Sequence, residues 1–305
     1  MKKDKKFTQV KIKNEKSLLF YLSKIFVIIL CISACALFII SVEAAENKEK
    51  NTSSSNYQQI RVYSGGEQIL KGETPLIDSV TYVPLRAYSE HMGADSVEWN
   101  AKSKTATVKK GDIEIKVTDG TSFIDAAGRI LYCPTQIRNI SDRLFVPIRA
   151  ISTALSLDVE WDNATRSALI SDSQKQFVSG NKYYNSNDVY WLSRIINAEA
   201  EGEPFLGKIA VGNVVINRVR STSYPNSIYG VIFDRKYGTQ FSPVSFGTIY
   251  KTPTAESVLA AKICLEGYTL SNEILFFVNP RYATSNWIGR TRPYAFTIGG
   301  HKFYK

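Results

Sequence analysis

The stretch Asn185-Ser186-Asn187-Asp188-Val189-Tyr190-Trp191-Leu192-Ser193-Arg194-Ile195-Ile196-Asn197-Ala198-Glu199-Ala200-Glu201-Gly202-Glu203-Pro204 contains a complete helix with its start and stop signals. Asn185 or Ser186 is a suitable cap for a helix beginning at Asn187, because a short polar side chain there accepts from otherwise unpaired first-turn amides. Val189, Leu192, Ile195 and Ile196 fall on one face at about 100° per residue. The same wheel puts Glu199 inside that apolar arc and Glu201 on the opposite face beside Arg194. Gly202 offers a stop and Pro204 a fresh start, which predicts a second apolar helix over residues 204–219.

Upstream the period changes from 3.6 to two. Asp112-Ile113-Glu114-Ile115-Lys116-Val117 alternates polar and apolar, as a half-buried strand does. The same region repeats itself. Tyr82-Val83-Pro84-Leu85-Arg86-Ala87 returns as Phe145-Val146-Pro147-Ile148-Arg149-Ala150, and Val97-Glu98-Trp99-Asn100 returns as Val159-Glu160-Trp161-Asp162. One duplication over residues 60–172 is expected, each copy carrying a strand, a short helix opened by the Val-Pro word, and a Glu-Trp strand. Trp99 and Trp161 are read as packing their own repeat's core, with a sugar-stacking platform as the other reading. The fold class is therefore multidomain α+β: a β-rich duplicated module followed by a mainly helical domain.

Charge is divided unevenly along the 305 residues. Residues 1–44 carry eight Lys against three acids, residues 45–180 carry 16 basic against 17 acidic, and residues 181–305 carry 14 against 8. The net +10 thus belongs to the two ends, and its scattered distribution in the last third argues against a nucleic-acid surface. A polyanionic wall is the better partner. The basic head followed by the uncharged run over residues 25–42 predicts an export signal cleaved after Ala44, with an uncleaved membrane anchor as the alternative. In both cases the rest of the chain is expected to face the outside of the cell. Residues 45–59 are polar and read as a linker, as do residues 173–185. Four Cys and two His in no ligand spacing leave no metal site, and no cofactor is expected.

Glu199 is the anomaly in the helical half. Apolar neighbours, the negative end of the helix dipole and the carboxylates of Glu201 and Glu203 all disfavour its ionisation, so its pKa is expected to rise. A carboxylic acid kept protonated near neutrality suits glycosidic cleavage, where the leaving oxygen must receive a proton. A two-carboxylate mechanism needs a second acid across the sugar; position along the chain leaves Glu203 and Asp234 as conceivable partners. With one carboxyl, the acid instead protonates the leaving oxygen and then, as base, takes a proton from a hydroxyl of the same glycan.

The words around Glu199 carry a resemblance. Asn197-Ala198-Glu199-Ala200-Glu201-Gly202-Glu203-Pro204, then Gly207-Lys208-Ile209-Ala210-Val211-Gly212 and Val215-Ile216-Asn217-Arg218-Val219, resemble the SleB and CwlJ family of cell wall hydrolases. Later matching words are Gln240-Phe241-Ser242, Phe277-Val278-Asn279-Pro280, Thr284-Ser285-Asn286-Trp287 and Ile298-Gly299-Gly300-His301-Lys302-Phe303. The likeness covers residues 186–305 and implies a lysozyme-like domain with Glu199 as the catalytic acid. It also implies lytic transglycosylation of the muramic acid to glucosamine bond in peptidoglycan glycan strands. A hydrolytic muramidase or glucosaminidase, and a non-catalytic wall-binding protein, remain as alternatives. Gln240, Asn279 and Ser285 are candidates to hydrogen-bond the substrate, Phe241 and Trp287 to stack on it, and His301 and Glu203 to contact it. Glu203 is also expected to cap the second helix, and Asn217-Arg218 to end or brace it. The repeats resemble those named after the copper amine oxidase N-terminal domain, yet a copper site wants several imidazoles and the module has only His91. The module is expected to bind the wall or position the enzyme.

Overall fold

A computed structural model describes residues 57–236, 238–283, 285 and 287–305. The expected signal or anchor, and most of the first linker, lie outside the described residues. No helix among the described residues is long and apolar enough to cross a membrane.

The module opens with β1 (Arg61–Ser64), β2 (Glu67–Ile69), β3 (Leu76–Ile77) and β4 (Val80–Pro84), followed by helix α1 (Leu85–His91). A meander of β5 (Ser96–Asn100), β6 (Thr105–Lys110), β7 (Ile113–Thr118), β8 (Phe123–Ala126) and β9 (Arg129–Tyr132) comes next. The second copy is β10 (Arg138–Ile140), β11 (Arg143–Pro147), α2 (Ile148–Ala154), β12 (Leu157–Asp162) and β13 (Ser167–Asp172). Proline at the β-to-α junction explains the turn in each copy: its fixed φ suits the first helical turn and no amide is lost there. Glu114 and Lys116 of β7 point to solvent while Ile115 and Val117 are buried, the alternation expected of this strand.

The two copies meet across an internal pseudo-twofold axis. β4 and β11 pair antiparallel with Val83 opposite Val146, Pro84 opposite Phe145 and Tyr82 opposite Pro147, so the equivalent valines face each other and each proline faces the aromatic residue of the other repeat. The sheets are ordered β12-β13-β1-β2, β10-β11-β4-β3 and β5-β6-β7-β8-β9. β1 lies parallel to β13, which joins the first strand of the module to its last. One apolar cluster, including Tyr88, Ile115, Ile124, Ile137 and Ile151, fills the space between the elements.

Trp99 and Trp161 do not belong to that core. They are 44% and 40% exposed, although each lies two residues after a valine of the same strand face, Val97 and Val159, that packs on the core. The stretch expected as a second linker is also packed: Phe177 is buried in the module's cluster and helix α3 (Gly180–Tyr183) follows it.

The C-terminal half holds helices α4 (Ser186–Ala200), α5 (Phe205–Arg220), α6 (Ile228–Ile232), α7 (Ser242–Phe246) and α8 (Ala255–Leu265). A short α9 (Trp287–Thr291) and a sheet ordered β14 (Phe276–Val278), β16 (His301–Tyr304), β15 (Tyr294–Ile298) complete it. Helix α5 is buried on nearly all sides, as expected of the central helix of an apolar bundle. Its two asparagines on the face toward the following segment are both satisfied. Asn213 donates to Tyr268 O and accepts from Leu270 N, and Asn217 donates to the carbonyls of Ser271 and Ile274. The Asn-Arg word therefore holds the segment after α8 against the helix.

Candidate active site

Asn185 caps α4 as its side chain accepts from the amides of Asn187 and Asp188. Leu192, Ile195 and Ile196 are fully buried beneath that helix, and Asn197 fixes it to α8 by accepting from Thr254 N at 2.8 Å and Ser257 Oγ at 3.1 Å. These contacts hold the last turn, and with it Glu199, in one place.

Burial raises the Glu199 pKa to about 7, against the opposing pull of the Arg218 guanidinium. The neighbouring carboxylates contribute differently from expectation. Glu201 is exposed. Glu203 is turned onto the β15–β16 turn, where its Oε2 accepts from Gly300 N at 2.8 Å. Glu203 consequently does not cap α5, whose N-cap is Pro204 with no side-chain cap bond. The close approach explains the Gly299-Gly300 pair: a Cβ on Gly299 would lie 2.0 Å from Glu203 Oε2, and one on Gly300 2.7 Å from Asn279 Nδ2. His301 follows, buried, with Nδ1 3.6 Å from Glu203 Oε1 and edge-on to Phe277. Desolvation lowers its pKa against the Glu203 charge, so the ring is neutral near pH 7.

Two cavities meet at Glu199. One of about 850 Å³ is lined by Glu203, Asn279 and His301. The other, of about 1200 Å³, is lined by Arg218, Asp234, Gln240, Phe241, Ser285 and Trp287. Glu199, Phe277 and Ala283 line both. The fold thus gathers every sequence-derived candidate around one carboxyl, in two groups. Trp287 is half exposed, with the Arg292 guanidinium over its ring. Phe241 is only 3% exposed and set against Phe277 and Arg218; it forms cavity wall and cannot stack on a sugar face. Gln240 Nε2 donates to Gly238 O, and Asn279 and Ser285 accept from local amides.

Arg218 is more than a brace. Its Nε donates to Leu275 O at 2.8 Å, and its guanidinium lies against the rings of Tyr224, Phe241 and Phe276. The residue is 6% exposed and Nη1 has no hydrogen-bond partner. A buried guanidinium donor left unpaired is costly, and the ionisable groups in its electrostatic reach include Glu199 and Asp234. An arginine in the last turn of an otherwise apolar helix was the sequence signal for it.

The chain's similarities agree with this division. Residues 202–304 match the family described as Cell Wall Hydrolase, and residues 62–170 match the Copper amine oxidase N-terminal domain. The first range begins three residues after Glu199. A spore cortex-lytic enzyme of Bacillus cereus is 39% identical over 122 residues, which are 40% of this chain and 46% of that protein. The cell wall hydrolase CwlJ of Oceanobacillus iheyensis is 29% identical over 114 residues, 35% of this chain and 79% of that protein. The solved catalytic domain of the germination-specific lytic transglycosylase SleB from Bacillus anthracis is 39% identical, over 40% of this chain and 97% of that one, with a TM-score of 0.37. The match spans less than half the length of the cortex-lytic relative. The chain therefore carries a cell wall hydrolase domain at its C-terminal end and a copper amine oxidase N-terminal-like domain before it. The module's one imidazole, His91, is exposed at the end of α1, and no group of three or more His, Cys, Asp or Glu placed to hold a metal ion occurs among the described residues.

Proposed function

We propose that the protein is a peptidoglycan-cleaving lytic transglycosylase acting on the muramic acid to glucosamine bond of glycan strands, in spore cortex or cell wall lysis. The observation that carries the reading is the place of Glu199: a carboxyl protonated up to about pH 7 at the junction of two cavities. A glycan laid through both has sugars on either side of this acid, and the bond between them beside it.

The Glu199 proton passes to the leaving glucosamine oxygen as the C1–O bond breaks. The resulting carboxylate takes the proton of the muramoyl 6-hydroxyl as O6 bonds to C1. An anhydro ring closes, water does not enter the product, and Glu199 ends protonated. Arg218 supports the intermediate state, because a carboxylate beside a guanidinium is stabilised relative to one in an apolar pocket. Glu203 is engaged with Gly300, which favours a wall-forming role for it. The cortex as substrate is supported by the names of the relatives, and an envelope location by the basic, apolar N-terminal segment.

Mass spectrometry of fragments released from purified cortex and from vegetative peptidoglycan tests the reaction. Fragments ending in 1,6-anhydromuramic acid, lighter by one water than hydrolytic products, are expected. Reducing ends carrying labelled oxygen from water would make the enzyme a hydrolytic muramidase or glucosaminidase, with Asp234, which lines the larger cavity with Glu199, as the assisting carboxylate.

A further inference from the structure

The duplication has preserved more than strands. In the first repeat, the Pro84-Leu85-Arg86-Ala87 helix start and the Val97-Glu98-Trp99 strand line a pocket of about 240 Å³. In the second, Pro147-Ile148-Arg149-Ala150 and Val159-Glu160-Trp161 line one of about 490 Å³. Each pocket is closed by the other repeat. Asp142 and Arg143 complete the first, and their counterparts Ser79 and Val80 complete the second. The reciprocal closure is what the Val83–Val146 pairing of the pseudo-twofold axis requires.

We infer that the module carries two equivalent sugar-binding pockets, centred on Trp99 and Trp161, which hold the glycan strands of the wall at points away from Glu199. The inference rests on the proposed substrate and extends it to a second part of the chain. The ring faces support it. Trp99 and Trp161 are 44% and 40% exposed, although burying an indole is strongly favourable, and neither stacks on another ring or on a cation among the described residues. Chain folding alone gives no reason to keep a tryptophan at this exposed position in both copies.

The surroundings select the ligand. Charged residues line both pockets, and one arginine and one glutamate recur at matching positions, Arg86 with Glu98 and Arg149 with Glu160; the first pocket also holds Glu90, which pairs with Arg86, together with Asp142 and Arg143, and the second holds Arg166. Arg149 is already held in place by donating to Val159 O at 2.8 Å. A flat apolar surface edged by a charged donor and a charged acceptor suits a pyranose, which has a C–H face and a rim of hydroxyl or acetamide groups. Two such pockets on one rigid body allow bivalent attachment, in which the second contact forms at high effective concentration.

The test uses the full chain carrying Glu199→Gln, so that the wall is not degraded. Co-sedimentation with intact purified sacculi, with free glycan strands and free stem peptides as separate competitors, is measured for this protein and for added Trp99→Ala, Trp161→Ala and both. Each single change is expected to weaken retention at least about tenfold by removing bivalency, and the double change at least as much. Trp→Phe at either position should restore part of it, and the fold, read by circular dichroism, should be unaffected because both side chains are exposed. With Glu199 intact, the same variants should cleave short soluble strands at the parent rate. Retention of the double variant equal to the parent would overturn the inference, as would retention abolished by free stem peptides and not by free glycan. The two readings fail separately: absence of fragments from the wild-type chain contradicts the reaction, whereas unchanged retention contradicts the pockets.

Discussion

Arg129 of β9 and Glu266, just after α8, are joined by two hydrogen bonds, Nε to Oε1 at 2.9 Å and Nη2 to Oε2 at 2.6 Å. Their side chains are only 12% and 7% exposed. Tyr184 donates to the same carboxylate and receives the amide of Ile130, and Lys262 donates to Gly128 O. Ile130 itself is buried in the cluster of the C-terminal half. The module is thereby docked on the C-terminal half through a desolvated, fully paired contact, so removing it whole would take away the Arg129 cation of Glu266, leaving Tyr184 as its partner, and uncover apolar surface.

Arg129→Ala should therefore destabilise the protein by about 3–5 kcal/mol, the range for breaking a buried ion pair from one side. Loss of the guanidinium's stacking on Tyr183 adds to it. Thermal unfolding of the variant measures this; a change under about 0.5 kcal/mol would show that the contact carries no stability.

The raised pKa of Glu199 fixes the sign of two pH effects. In the proposed role of general acid it has to be protonated, so kcat/KM should fall as pH rises through about 7. The folded protein also binds this proton more tightly than the unfolded chain, whose carboxyl titrates near 4.5. Stability should accordingly be lost as pH rises from about 4.5 to about 7. Glu199→Gln removes that dependence and should be the more stable protein above pH 7, by on the order of 2 kcal/mol. Unfolding of both proteins across this window checks the sign, and a parallel pH dependence would contradict it.

The helix carrying Glu199 was legible because its signals are local. Asn185 caps it, Leu192, Ile195 and Ile196 fill its buried face, and the wheel places Glu199 toward the interior. Thr254 likewise caps α8 and Gly267, at φ +95°, follows its end. What escaped depends on residues far apart in the chain. Glu203 lies one residue before a proline-started helix and looks like its cap; its partner Gly300 is 97 positions away. Phe241 matches a motif that suggests stacking, but the arrival of Phe277 and Arg218 buries it. The tryptophans of the repeats follow the same logic in reverse. Their strands read correctly, and Trp99 and Trp161 share a face with core-packed Val97 and Val159, yet only the three-dimensional structure shows that the indoles line a pocket and stay partly open.

Arg218→Met should raise the pH at which kcat/KM declines by about one unit, since the cation that opposes the burial of Glu199 is gone. It should also slow turnover, because the ionised form of Glu199 loses its neighbouring charge. Arg218→Lys, which keeps the charge without the planar stacking on Phe241 and Phe276, should restore the pH profile more fully than the rate. A profile identical in all three proteins would exclude electrostatic coupling between Arg218 and Glu199.

Gly299→Ala places a Cβ at φ +56° and 2.0 Å from Glu203 Oε2. Displacement of Glu203 from Gly300 and His301 is expected, with a loss of more than about 1 kcal/mol of stability and weaker substrate binding through the smaller cavity. Denaturation and KM report the two effects. A variant unchanged in both would mean that this turn is not held as described.

The most direct measurement is the release of glycan fragments from purified cortex by Glu199→Gln compared with the parent protein. Glutamine keeps the shape of the side chain and has no proton to give, so a loss of at least about 100-fold is expected in a protein that remains folded. Glu201→Gln, on the exposed side of the same helix end, should stay close to the parent. Fragment release by Glu199→Gln at a rate comparable to the parent would contradict the assignment of Glu199 as the acid on which the proposed function depends.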